Sequence, residues 1–275
     1  MKHCPFYIFF VIALISASCS NSPREITDPD AQQLFIGEDI AVASTAYGKV
    51  KGYVLRDIYH FMGIPYGANT SGKNRFMPPS PPEPWEGVLP CVYFPISAPQ
   101  IIRYPRHSES YPAFVDRWNY DEIGEDCLRL NVWTPAPDAR KRPVIVWLHG
   151  GGFSSGNSIE QNGYSGENLS RYGDVVFCSV NHRLNAFGFS DFSKVGGEPF
   201  KHSGNVGLLD IIAALRWVHD NIENFGGDPD NVTIIGQSGG GSKVSAIATM
   251  PLAKGLIHKA VALSGNSVKA GDPEY

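Results

Sequence analysis

Three short runs of alternating apolar and polar residues open the folded part of the chain: Ile40 to Thr45, Lys49 to Leu55 and Ile58 to Gly63. Tyr47-Gly48 and Arg56-Asp57 separate them, and alternation between turn-forming pairs predicts an antiparallel meander. The proline-dense stretch Met77 to Pro84 lacks N–H groups that a central strand needs and is expected as surface loop, anchored on the body by Trp85. Between Pro95 and Tyr120 the chain reads mostly as loop. The pattern then changes. Leu128 to Thr134 alternates like a strand, while Pro143 to Leu148 and Asp174 to Val180 are nearly continuous apolar runs. Such runs suit strands buried on both faces of a mostly parallel sheet. Leu208, Ile211, Leu215, Val218, Ile222 and Phe225 recur every three or four residues, one stripe on a helix from about Gly207 to Asn224, closed by Gly226-Gly227. Val232 to Ile235 and Lys259 to Leu263 are further strands. Strands alternating with helical segments predict an α/β fold.

Two segments precede this region. Pro5 to Ile15 is wholly apolar but shorter than the roughly 20 residues a membrane-spanning helix needs. Lys2 and His3 lie before it, and Ser16, Ala17, Ser18 and Cys19 follow. This is the layout of a secretory signal peptide. A cysteine after small residues also resembles a bacterial lipobox, although Ser16 stands where a branched apolar residue is usual. Residues 1–19 are expected to direct export, with Cys19 acylated in a periplasmic or outer-membrane lipoprotein; plain secretion is the alternative. Residues 20–39, polar and carrying Pro23, Asp28, Pro29 and Asp30, are expected to form a tether without elements of its own. Residues 40–275 form the folded domain.

Composition narrows the function. Hydrophobic residues make up 43% and charged residues only 18%, which excludes a disordered chain. A net charge of −4 speaks against nucleic-acid binding and leaves Cys19 as the expected membrane contact. The five cysteines are too few for a disulfide scaffold, but export would put Cys91, Cys127 and Cys178 in an oxidising compartment.

Gly236-Gln237-Ser238-Gly239-Gly240 fits G-x-S-x-G, with an apolar strand before it and a helix-compatible segment after. A serine on such a sharp strand-to-helix turn exposes its hydroxyl over the sheet edge. The segment is not a phosphate loop, because Ser242 precedes Lys243 where that loop needs lysine first. A second motif, His149-Gly150-Gly151-Gly152-Phe153, follows the strand ending at Leu148. Consecutive glycines let backbone N–H groups converge on one small volume. Ester hydrolysis by serine needs this, because the tetrahedral intermediate carries a full negative charge on the former carbonyl oxygen. Gly151, Gly152 and Gly239 are the expected donors, and Ser238 the expected nucleophile.

These motifs, together with Phe61 to Tyr66, Arg75-Phe76, Glu125 to Trp133, Asn181 to Phe189, Gly204 to Leu208, Ala214 to Val218 and Phe225 to Pro229, resemble the type-B carboxylesterases, the family that includes the cholinesterases. The resemblance implies an α/β-hydrolase fold, Ser238 as nucleophile, an acyl-enzyme, a small-molecule ester substrate and no cofactor or metal. It implies a structural Arg75–Glu125 pair. It also implies that the family's disulfide partner of Cys127 falls at Ala98, leaving only Cys91 as an alternative. Gly239 stands where the family commonly has alanine, a change without effect on a backbone donor.

In the family the triad's acid and histidine follow the serine, in a chain about twice this long, so the chain is expected to be the N-terminal part of the domain with its C-terminal part missing. His149 is expected to hold the glycine loop and His182 to be structural. His60, His107, His202, His219 and His258 are expected on loops, the meander or a helix surface, and Asp210 and Glu223 in structural or solvated roles. The alternatives to an esterase are a non-catalytic binding module and an inactive gene fragment.

Overall fold

The computed structural model describes residues 33–101 and 122–265. The expected export signal, Cys19, most of the tether and His107 lie outside the described residues. The strands are β1 (Leu34–Phe35), β2 (Val42–Thr45), β3 (Gly48–Lys51), β4 (Tyr53–Leu55), β5 (Ile58–Pro65), β6 (Val88–Pro90), β7 (Arg129–Thr134), β8 (Arg142–Leu148), β9 (Val176–Val180), β10 (Gly227–Gln237) and β11 (Lys259–Leu263). The helices are α1 (Glu167–Gly173), α2 (Asn185–Phe189), α3 (Ser193–Gly196), α4 (Val206–Asn221) and α5 (Gly239–Thr249).

Among the described residues, one sheet runs in the order β1-β4-β5-β7-β9-β8-β10-β11, and a smaller one in the order β2-β3-β6. The large sheet is mixed. From β1 to β9 the pairings are antiparallel; β9, β8, β10 and β11 pair in parallel. The difference follows from the connections. Arg56-Asp57 joins β4 to β5 as a tight hairpin, whereas β8, β9, β10 and β11 are linked through α1, α4 and α5, and parallel neighbours need such crossovers.

The expected meander is divided between the two sheets. Its second run breaks at Gly52, where a Cβ would lie 1.9 Å from the His60 carbonyl oxygen. Gly52 also donates its N–H to the Ala41 carbonyl at 2.8 Å. Only a residue without a side chain lets the chain pass so close to β5 while leaving one sheet for the other. The tether is corrected at its end, because Leu34–Phe35 adds a short antiparallel strand to β4. Trp85 anchors its loop as expected, packing over Gly48 and donating from Nε1 to the Lys49 carbonyl at 2.8 Å.

β9 lies at the centre, and all five of its residues are buried. β8 alternates instead: Val144, Val146 and Leu148 are buried, while Ile145 and Trp147 are half-buried on the other face, Trp147 against Tyr164. The buried side of the sheet meets α4. Ile211, Leu215 and Val218 are fully buried, as are Ile222 and Phe225 in the short 3-10 turn that follows the helix. Gly226, left-handed at φ 81°, then turns the chain into β10. Each fully buried aliphatic side chain of this stripe contributes about 1.5–3 kcal/mol.

Candidate active site

β8 and β10 are parallel neighbours, with Leu148 opposite Gly236. From β8 the chain crosses to β9 on one side, and from β10 to β11 on the other. The carboxyl ends of these two strands therefore open a crevice at the switch in strand order, where open α/β sheets bind ligands. The glycine loop leaves β8 at His149, and the serine leaves β10 at Ser238.

Ser238 has φ 56° and ψ −121°, a backbone conformation that non-glycine residues rarely adopt. Its surroundings over-determine it. The Ser238 N–H donates to the Leu263 carbonyl at the end of β11 (2.8 Å), and its carbonyl accepts from Ser242 N–H (3.1 Å). Gly240 lies so close to β8 that a Cβ there would fall 2.0 Å from the Leu148 carbonyl oxygen. Ser238 itself is only half-buried, so its hydroxyl remains accessible at the start of α5.

Gly151 (φ 82°) and Gly152 (φ 65°) are both left-handed and exposed. Among the described residues their N–H groups have no hydrogen-bond partner. Gly239 begins α5, where first-turn N–H groups are also unbonded and the helix dipole favours negative charge. A Cβ on Gly150 would lie 3.6 Å from the Ser238 Cβ, so loop and serine share one corner. A Cβ on Gly239 would lie 2.2 Å from the Gly152 carbonyl oxygen and 2.5 Å from its Cα. The loop thus occupies the volume that a methyl group on Gly239 would need, while the backbone N–H of Gly239 is unaffected by the absence of a side chain.

A buried polar cluster lies beneath the loop. His149 and His182 stack with ring centroids 4.9 Å apart. Their Nδ1 atoms face the carbonyls of Gly150 (2.9 Å) and Arg183 (2.8 Å), which puts the proton on Nδ1. Both Nε2 atoms are buried without a hydrogen-bond partner among the described residues. Burial, and then the Lys243 cation beside them, holds both imidazoles well below the usual histidine range, so they are neutral at pH 7. Their hydrogen bonding fits the expected loop-holding and structural roles. Lys243, from α5, is completely buried. Its Nζ donates to the His149 carbonyl at 3.2 Å and lies 5.4 Å from the Phe153 ring centroid. Burial pushes its pKa down to about 7, against the attraction of Glu160. Sequence reasoning considered Lys243 only as a misplaced phosphate-loop residue. The signal it missed is that this is the single charged residue in Gly239–Thr249.

Further contacts fix the loop's far end. Asn185 N–H donates to the Phe153 carbonyl at 2.7 Å. The Gln100 amide brackets Gly156, accepting from its N–H (2.8 Å) and donating to its carbonyl (3.0 Å). Beside the loop a cleft of about 540 Å³ opens, lined by Gln100, Ile101, Ser154, Ser155, Asn185 and Phe187.

The remaining expected residues lie elsewhere. Arg75 and Glu125 form the expected bidentate pair, with Nε to Oε2 at 2.7 Å. Asp210 is fully buried against Arg183, and Glu223 makes an exposed pair with Lys141. Among the described residues no imidazole is hydrogen-bonded to the Ser238 hydroxyl, and His60 sits apart in β5, 3.8 Å from the Glu167 carboxylate but held neutral by burial, which lowers its pKa to about 4. Cys91 and Cys127 are buried free thiols, so the alternative bridge between them is not formed; burial pushes the Cys91 thiol up to about 12.

A strained serine at the end of one parallel strand, facing a glycine loop at the end of the next, defines the α/β-hydrolase class. The chain belongs to the carboxylesterase family, whose model it matches over residues 39–271. It is 41% identical over 229 residues to the para-nitrobenzyl esterase of Bacillus subtilis, covering 82% of this chain and 44% of that protein. It is 42% identical over 245 residues to rat Carboxylesterase 1E, covering 84% of this chain and 41% of that one. A solved esterase of Clostridium hathewayi, described as hydrolysing aliphatic aromatic polyesters, superposes with a TM-score of 0.77 at 47% identity, over 84% of this chain and 44% of its own. The chain thus spans less than half the length of these relatives.

Proposed function

We propose that the protein is a serine carboxylic-ester hydrolase acting on small-molecule esters. In this reading the Ser238 hydroxyl attacks the ester carbonyl, and the N–H groups of Gly151, Gly152 and Gly239 take up the charge that develops on its oxygen. The alcohol leaves, an acyl group remains on Ser238, and water releases it. A serine hydroxyl is a weak nucleophile at neutral pH and needs an imidazole to accept its proton. In this reading the imidazole and its acid partner come from residues that follow Ser238 in the chain, the order of the hydrolase triad. The cleft beside Gln100 and Phe187 is where the ester's acyl or alcohol part would lie. The signal at residues 1–19 would export the protein, and a lipid on Cys19 would hold it at a membrane.

The observation that carries this reading is the left-handed Ser238 beside two left-handed glycines whose N–H groups are unpaired among the described residues. The test is hydrolysis of p-nitrophenyl butyrate by the purified protein, together with any C-terminal continuation its gene encodes. Ser238→Ala is expected to lower turnover by about 10⁶-fold. Turnover that survives this substitution overturns the assignment.

A non-catalytic binding module is the second reading. One observation favours it: among the described residues no imidazole is hydrogen-bonded to Ser238. An organophosphonate probe separates the two. Labelling at Ser238 supports the hydrolase, and its absence from the protein with its continuation supports the binding module.

A further inference from the structure

An oxyanion hole stabilises charge only when its donors are already in place, since reorienting them during the reaction would consume the gain. A loop with three consecutive glycines is poorly suited to this, because glycine has more backbone freedom to lose than any other residue. Something outside the loop must hold it. The contacts made by Asn185 and Gln100 act at Phe153 and beyond. At its near end the loop meets one side chain from the helix that Ser238 itself begins.

We propose that Lys243 is the positioning residue of this loop, clamping both of its ends to the nucleophile helix. The buried ammonium donates to the carbonyl of His149, the first residue of the loop, and lies over the ring of Phe153, its last. These are the two ends of the glycine run, so one group restricts both. The close approach of Gly239 to Gly152 is the other face of the same arrangement. Burying an ammonium costs several kcal/mol unless it is well paired. A methionine would fill the same volume without that cost, so what lysine adds here is the bond to His149 and the attraction to the Phe153 ring. The neutral imidazoles of His149 and His182 add no second positive charge to the cluster, and the Glu160 carboxylate offsets the one present.

The role in oxyanion stabilisation rests on the esterase reading; the clamp does not. The test therefore has two arms, both on the purified protein with any continuation its gene encodes. In the first, amide hydrogen exchange is followed by mass spectrometry in wild type, Lys243→Met and Ser238→Ala. Lys243→Met is expected to speed exchange of the Ser154, Ser155 and Asn185 amides, which donate to the loop carbonyls of Gly151 and Phe153, about tenfold while leaving β9 protected, and Ser238→Ala to leave these amides protected. In the second, kcat and KM are measured with p-nitrophenyl butyrate. Lys243→Met is expected to lower kcat by about 10²-fold with KM unchanged, the mark of an interaction that matters in the transition state. Unchanged exchange of the Ser154, Ser155 and Asn185 amides overturns the clamp. Faster exchange in a protein whose wild type shows no Ser238-dependent turnover leaves the clamp standing and removes the esterase reading. If Lys243→Met does not fold, the wild type's lysine ¹⁵N spectrum decides: an ammonium shifted upfield by the Phe153 ring and slow to exchange supports the clamp, and its absence refutes it.

Discussion

Arg183 and Lys243 are both cations removed from water, and they are held by opposite means. Arg183 sits after β9 and meets Asp210 of α4 in a bidentate pair, Nε to Oδ2 at 2.9 Å and Nη2 to Oδ1 at 2.6 Å. Its own N–H adds a third bond to the same carboxylate at 3.0 Å. Charge meets charge, and the pair pins α4 to the end of the central strand. Among the described residues Lys243 has one carbonyl as hydrogen-bond acceptor and an aromatic ring beside it, and Glu160 acts on it through its charge. The first site is built to hold the fold. The second tolerates an imperfectly compensated charge, which is what a group set to position a neighbouring loop would look like.

The contrast can be broken at its strong end first. Asp210→Asn leaves the buried guanidinium without a counter-charge, and urea unfolding at neutral pH should show a loss of about 3–5 kcal/mol. A smaller loss would mean that Arg183 is compensated from elsewhere.

The Lys243 site should respond to pH in a distinctive way. Its pKa in the folded protein, about 7, lies below the ordinary lysine value of 10.5. Between these values the unfolded chain binds a proton that the folded one does not. Wild-type stability therefore falls as pH is lowered from about 10.5 to about 7 and takes no further loss from this group below that. Lys243→Met lacks this term. Its melting temperature relative to wild type should rise across the same window, even as its glycine loop loosens. A difference that stays flat from pH 7 to 10 would show the ammonium to be charged and compensated throughout.

The smallest effect is expected at the surface. Arg75 and Glu125 share the bidentate geometry of Arg183 and Asp210, but water reaches the guanidinium and screens the attraction. Arg75→Ala should leave the urea midpoint within error of wild type. A clear shift would place this pair with the buried ones.

Much of this arrangement is legible in the residues alone. The α4 stripe and the apolar runs of β8 and β9 carry their period in consecutive residues, and the serine and glycine motifs are local by construction. What escapes is set by distant contacts. Nothing near Gly52 tells that its amide answers to Ala41 and that the His60 carbonyl crowds it, so the change of sheet cannot be read from the alternation. Leu34–Phe35 is a strand only because β4 offers an edge. The significance of Gly239 depends on where Gly152 comes to rest, and that of Lys243 on the depth at which α5 packs. An apolar period shows which face is inside, but not which polar group accompanies it there.

The hydrogen bond from Ser238 to Leu263 has a consequence in time. The serine and its flanking glycines leave the ribosome before the carbonyl that fixes the serine's backbone has been made. Until β11 is synthesised and laid beside β10, the nascent chain contains Ser238 and not the backbone conformation in which the folded protein holds it. The order of synthesis thus places a delay between carrying Ser238 and presenting it, and β11 sets the moment at which its turn is fixed.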